Sequence, residues 1–257
     1  MIMELPILEE LIRKKQKGIK SFAVLIDPDK TDNVVSLTRL IRMCMENMVD
    51  YFLVGGSFIT QNNTSEIISK IKKQCEIPVI LFPGSNLHID LTADALLFLS
   101  LISGRNADFL IGQHVLAAPI LKNSNLEIIP TGYMLIGENN ATTASYMSNT
   151  TPIPSDKYSV AACTALAGEM LGMKAIYMDA GSGAKRSISS KMISHVTRNT
   201  KLPLIAGGGL NTLAKASETL QAGADTIVVG NGIEKDPQLL IEISDYIRGV
   251  NEPLKIH

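Results

Sequence analysis

Short apolar runs alternate with longer amphipathic stretches from one end of the chain to the other. Eight of the runs are FAVLI (22–26), YFLVG (51–55), PVILF (78–82), DALLFLS (94–100), LEIIPTGYMLI (126–136), AIYMD (175–179), PLIAG (203–207) and TIVVG (226–230). They are continuous rather than alternating, the pattern of strands covered on both faces. Between them NVVSLTRLIRMCMEN (33–47), SEIISKIKKQCE (65–76), LNTLAKASETLQAGA (210–224) and DPQLLIEISDYIRGV (236–250) carry apolar residues at helical spacing. Strand–helix units of this length imply a parallel sheet with right-handed crossovers. Eight in one unbroken rhythm predict an α/β fold closed into a (β/α)8 barrel, the TIM barrel.

The rhythm has three irregularities. MIMELPILEELIRKKQKG (1–18) places acids before bases on a helical pattern ahead of the first strand, which predicts an extra N-terminal helix. NLHIDLTA (86–93), after the third strand, is too short and polar for a good third helix. GENNATTASYMSNTTPIPSDKYSV (137–160) is a long polar connection, which reads either as a surface loop or as a functional segment. No linker or low-complexity stretch interrupts the pattern, so residues 1–257 are expected to form a single barrel domain.

Composition narrows the class. The 257 residues are near the usual size of one such barrel. A formal net charge of −1 offers no general attraction to nucleic acid or to an anionic membrane, so any anion site must be local. The apolar runs are far too short to cross a bilayer, and the first residues lack a signal-peptide core, so a cytoplasmic protein is expected. Cys44, Cys75 and Cys163 are scattered and odd in number, as reduced thiols are.

Active sites of this fold sit at the C-terminal ends of the strands. There the chain offers DPDK (27–30), GGS (55–57), FPGS (82–85), YMDAGSG (177–183), AGGG (206–209) and VGNG (229–232). Glycines after the last strands let backbone N–H groups approach phosphate oxygens, the usual anion site of the barrel. The alternative is that they only serve tight turns. Asp27 is either a hard oxygen ligand for Mg2+ shared with substrate phosphates or a residue that shapes the turn before Pro28. Ser57 is either a weak second ligand or a helix cap. His88, His114, His195 and His257 form no cluster. Asp179 stands beside the Gly-Ser-Gly turn, where a carboxylate would repel an anion unless it has a chemical task; Lys185 and Arg186 read as surface charge or helix-start residues.

Taken together, FAVLIDPDK, VGGS, LFPGS, LFLSLISGRNADFLIGQHVLAAP, PTGYMLI, YMDAGSGA, IAGGGL and VVGNGIE resemble the geranylgeranylglyceryl phosphate synthases and their bacterial relatives. The likeness runs over nearly the whole chain and is greatest to the longer branch found in archaea and some bacteria. It implies an Mg2+-dependent prenyltransferase that joins a prenyl group from a prenyl diphosphate to the sn-3 hydroxyl of sn-glycerol 1-phosphate, releasing pyrophosphate. Asp27 and Ser57 match the Mg2+ positions. Tyr177, Met178, Asp179, Ala180, Gly181, Ser182 and Gly183 match the glycerol-phosphate contacts, with catalysis at Asp179 and Tyr177. Gly208, Gly209, Gly230 and Asn231 complete the phosphate site. The stretches 95–102 and 133–136 are candidate walls for the prenyl groove, or equally barrel core. A homo-oligomer, dimer or hexamer, is implied, with at most transient membrane contact and no nucleic acid.

Two positions depart from the pattern. The family has Glu where this chain has Asp179, a reach shorter by about 1.5 Å. The heptaprenyl-specific bacterial branch has Lys where this chain has Leu25. Two other readings stay open: a sugar-phosphate isomerase or lyase using Asp27 and Asp179 across the mouth, and a non-catalytic barrel that binds prenyl phosphates.

Overall fold

The computed structural model describes residues 6–31, 34–61, 63–137 and 142–252; His257 lies outside them. The strands are β1 (Ser21–Ile26), β2 (Tyr51–Gly56), β3 (Val79–Pro83), β4 (Ala95–Ser100), β5 (Glu127–Gly137), β6 (Ile153–Pro154), β7 (Ala175–Asp179), β8 (Leu204–Gly207) and β9 (Thr226–Val229). All pairs are parallel, and eight strands close a ring in the order β1-β2-β3-β4-β5-β7-β8-β9-β1. The two-residue β6 lies outside the ring, alongside the end of β5. The fold is the TIM barrel that the alternating pattern predicts, and its eight barrel strands fall on the eight apolar runs.

Strand pleating divides the core into an interior and an outer layer. On β7, Tyr177 and Asp179 point inward, whereas Ile176 and Met178 pack with Met192, Ile193 and Val196 of the helical layer. The helices are α1 (Ile7–Gln16), α2 (Val34–Glu46), α3 (Thr64–Lys72), α4 (Gln113–Leu121), α5 (Thr143–Ser148), α6 (Tyr158–Met170), α7 (Ser190–Asn199), α8 (Leu213–Gln221), α9 (Asn231–Lys235) and α10 (Gln238–Asn251).

The extra N-terminal helix closes the bottom of the barrel. Ile7 and Leu11 of α1 join the interior cluster. The Glu127 carboxylate, at the N-terminal end of β5, accepts the backbone N–H groups of Ile7 (2.7 Å) and Leu8 (2.8 Å). It thus satisfies two free donors of the helix and faces the positive end of its dipole. Lys14 and Lys15 bind Asp50 (2.6 Å) and Asp225 (2.8 Å), which precede β2 and β9.

The irregularity after β3 is real: only a 3-10 turn, Asn86–His88, lies between β3 and β4. The outer face of β4 is covered by α4 instead, which follows a π-helical turn at Asp108–Gly112. The long polar connection is no loop over its described part. It contains α5, opened by a capping box between Thr142 and Ser145, then β6 and the start of α6.

Candidate active site

Two cavities meet at the C-terminal mouth of the barrel. The first encloses about 1360 Å³, open solvent included, and is walled by the loops after β1, β2, β7, β8 and β9. Asp27, Ser57, Tyr177, Asp179, Gly181, Ser182, Gly183, Gly208, Gly209, Gly230 and Asn231 all line it. Met178 and Ala180 do not; pleating turns Met178 into the helical layer, where it is fully buried, and Ala180 packs on the same layer. Alternate residues of a strand face opposite ways, so these two side chains point away from the cavity.

Asp179 ends β7 and is 7 % exposed. Its Oδ2 accepts the Tyr133 hydroxyl at 2.6 Å and its Oδ1 the Gly181 N–H at 2.7 Å. Burial raises its pKa above the usual carboxylate range, and the two donors oppose that rise. A buried carboxylate whose pKa is raised is a candidate proton acceptor. Gly208 is required here: its φ is +83°, and a Cβ would lie 2.7 Å from Asp179 Oδ1 and 2.8 Å from the nitrogens of Ala180 and Gly181. Tyr177 stacks on Phe82 (centroids 4.8 Å apart), while Tyr133 meets Phe82 edge-on at 5.8 Å. The aromatic triplet forms a dry floor beneath the carboxylate. Burial and the nearby Asp179 push the Tyr177 and Tyr133 hydroxyls well above their ordinary pKa, so both stay protonated.

Across the mouth, Asp27 shapes the turn before Pro28. Its Oδ1 accepts the Asp29 N–H (3.1 Å) and opens the 3-10 turn Pro28–Lys30. Its Oδ2 lies 3.0 Å from Lys30 Nζ, which also donates to Asn231 Oδ1 at 2.7 Å. Asn231 in turn donates to Ser182 Oγ at 3.3 Å. A polar chain therefore joins the β1, β9 and β7 loops. Among the described residues no group of three or more His, Cys, Asp or Glu could hold a metal. A cation here would have Asp27 and Ser57, with substrate oxygens for the rest.

The second cavity, about 830 Å³ with open solvent included, is mostly apolar, with Ser85, Asn86, Gln113 and Ser148 among its lining. It starts at Gly56, Ser57 and Phe82, which it shares with the first. It then runs past Leu99, Leu101, Tyr133 and Leu135 and over β4 to Leu96, Phe98 and Ala117 on the outer face. Asn86, from the 3-10 turn between β3 and β4, also lines it. Within the stretches 95–102 and 133–136, residues of both faces line the groove, while Ala95, Met134 and Ile136 are core. His114 also lines it; burial lowers its pKa, so the ring is neutral there.

Sequence reasoning missed three residues of this region. Tyr133 was placed only as a groove wall, yet register pairs it with Tyr177 and so turns it inward toward Asp179. Lys30 and Lys185 line the first cavity, although by sequence Lys185 reads as surface charge or a helix-start residue.

A profile of the PcrB family matches residues 11–248. The chain belongs to the PcrB family. A Spirosoma linguale relative named geranylgeranylglyceryl phosphate synthase is 55% identical over 238 residues, 93% of this chain and 95% of its own. A Pyrococcus furiosus relative of the same name is 39% identical over 233 residues, 90% and 92% of the two chains. The crystal structure of (S)-3-O-geranylgeranylglyceryl phosphate synthase from Thermoplasma acidophilum, in complex with substrate sn-glycerol-1-phosphate, superposes with a TM-score of 0.88. That structure is 31% identical, and the match covers 96% of this chain and 100% of the other. This PcrB-family chain thus matches one bacterial and two archaeal relatives over most of its length.

Proposed function

We propose that the chain is a geranylgeranylglyceryl phosphate synthase: it transfers a prenyl group from geranylgeranyl or a similar diphosphate to the sn-3 hydroxyl of sn-glycerol 1-phosphate. The observation that carries the reading is the junction of an apolar groove with a glycine-walled polar cavity that has a buried carboxylate in its wall. The names of the relatives point the same way. A sugar-phosphate isomerase or lyase has no use for such a groove.

In this reading the loops at Gly181–Gly183, Gly208–Gly209 and Gly230–Asn231 hold the glycerol phosphate through backbone N–H groups. The prenyl tail lies along Leu99, Leu101 and Leu135. Asp179 accepts the sn-3 hydroxyl proton as the new C–O bond forms and the bond to the diphosphate breaks. Tyr133 holds the carboxylate in its aim, and Tyr177 packs beneath it. Asp27 and Ser57 would hold Mg2+, a fit supported by one hard carboxylate and one hydroxyl at the ends of adjacent strands, the sparse protein ligation typical of this ion with phosphates. When bound, that ion neutralises charge on the departing diphosphate. A cytoplasmic homo-oligomer fits the exposed apolar residues Ile111, Val115, Leu116 and Ile120 around α4, and among the described residues no helix is long and apolar enough to cross a membrane. The test is incubation with sn-glycerol 1-phosphate and prenyl diphosphates of several lengths, with and without Mg2+. Prenylated glycerol phosphate is expected only with the metal, and its absence under every combination refutes the reading.

A further inference from the structure

The polar cavity contains a cation whose position the proposed chemistry does not yet explain. Lys30 Nζ sits 3.0 Å from Asp27 Oδ2 and 2.7 Å from Asn231 Oδ1. The other Asp27 oxygen is already committed to the Asp29 N–H. The oxygen without a backbone partner is therefore the one that Lys30 contacts. An ammonium group and a divalent cation compete for it, because like charges at contact distance repel. The Lys30 side chain is 40% exposed and lines the cavity, so its four-carbon stem is free to swing toward a ligand there.

We propose that Lys30 is an exchangeable cation: in the free protein it fills the metal position at Asp27, and when metal and diphosphate enter it moves onto the diphosphate oxygens. The inference rests on the reading of Asp27 as the Mg2+ ligand. One carboxylate and its metal neutralise little of a diphosphate, so a second positive group at the same spot supplies what the protein ligands lack. The move also frees Asn231 Oδ1, which lets that amide reorient beside Ser182 and the phosphate loops.

The exchange makes two opposite demands on one residue, which binding measurements without turnover can separate. Isothermal titration of the full chain with Mg2+ alone should show Lys30→Met binding the ion about two- to fivefold more tightly than wild type, since a competitor is gone. Titration with inorganic pyrophosphate in the presence of Mg2+ should show the same variant weaker by about tenfold or more. Lys30→Arg should retain most of the pyrophosphate affinity. Equal or weaker Mg2+ binding by Lys30→Met, with pyrophosphate binding unchanged, overturns the exchange. Asp27→Ala separates the two readings. If it loses Mg2+ while Lys30→Met shows no gain, the exchange alone fails; if it binds Mg2+ as wild type does, the metal reading of Asp27 fails and the exchange with it.

Discussion

Replacing Tyr133 by Phe removes one hydroxyl and leaves the ring against Phe82 in place. That hydroxyl donates to Asp179 Oδ2 at 2.6 Å, with both groups buried. A hydrogen bond to a charged acceptor contributes about 1.5–3 kcal/mol. It favours the ionised carboxylate, and its loss leaves only the Gly181 N–H, at 2.7 Å, to oppose the effect of burial. At 1.36 kcal/mol per pH unit, the acid limb of the kcat/KM profile should move up by about 1–2 pH units. Turnover near neutral pH then falls, and it recovers as the pH is raised. The assay is prenyl transfer at low substrate concentration from pH 5 to 9.5, with thermal unfolding followed in parallel. A superimposable profile would show that Tyr133 does not tune the acid. A uniform loss at every pH would refute the reasoning equally, because it would mean the hydroxyl acts on the substrate itself.

Asp179→Ala should lower kcat by about 10²–10³-fold, the range for one general base, and near-normal turnover would exclude that role. Asp179→Asn carries a stability signature as well. An acid whose folded pKa is raised gives the fold most support below its unfolded pKa and loses it as pH rises through the folded value. The melting temperature of Asp179→Asn relative to wild type should therefore rise between pH 4 and pH 7, as differential scanning calorimetry would read. Gly208→Ala combines a φ of +83° with a Cβ 2.7 Å from Asp179 Oδ1; it should cost about 1–3 kcal/mol and displace the carboxylate, so both melting temperature and kcat fall. Glu127→Gln weakens the cap on α1 by about 1 kcal/mol, which lowers the melting temperature by about 2–4 °C and leaves kcat unchanged.

Much of this architecture was legible in the apolar runs. A strand buried on both faces has to be a continuous hydrophobic stretch, so all eight barrel strands could be found within a residue or two of their ends. The missing third helix was legible for the converse reason, since NLHIDLTA has no apolar stripe to bury. The polar connection was not, because α5 is held by a Thr142–Ser145 capping box and six residues, too few for periodicity to register. At the site, loop glycines declared themselves by composition. Met178 misled because a motif is read as a line while a strand presents alternate residues to opposite sides. Tyr133, Lys30 and Lys185 depend on which strands are neighbours and how far a long side chain reaches, and neither is encoded in local spacing.

With only a 3-10 turn between β3 and β4, the groove reaches the outer side of β4, where Leu96 and Phe98 line it together with Ala117 of the covering helix α4. An apolar chain lying there would serve as a detachable piece of the core. Ligand occupancy and local folding are then one equilibrium. The edge of the barrel at β3 and β4 should exchange its amide hydrogens fastest when empty and slow markedly with a bound tail, and every added methylene of that tail that reaches the groove strengthens the protein as well as the complex.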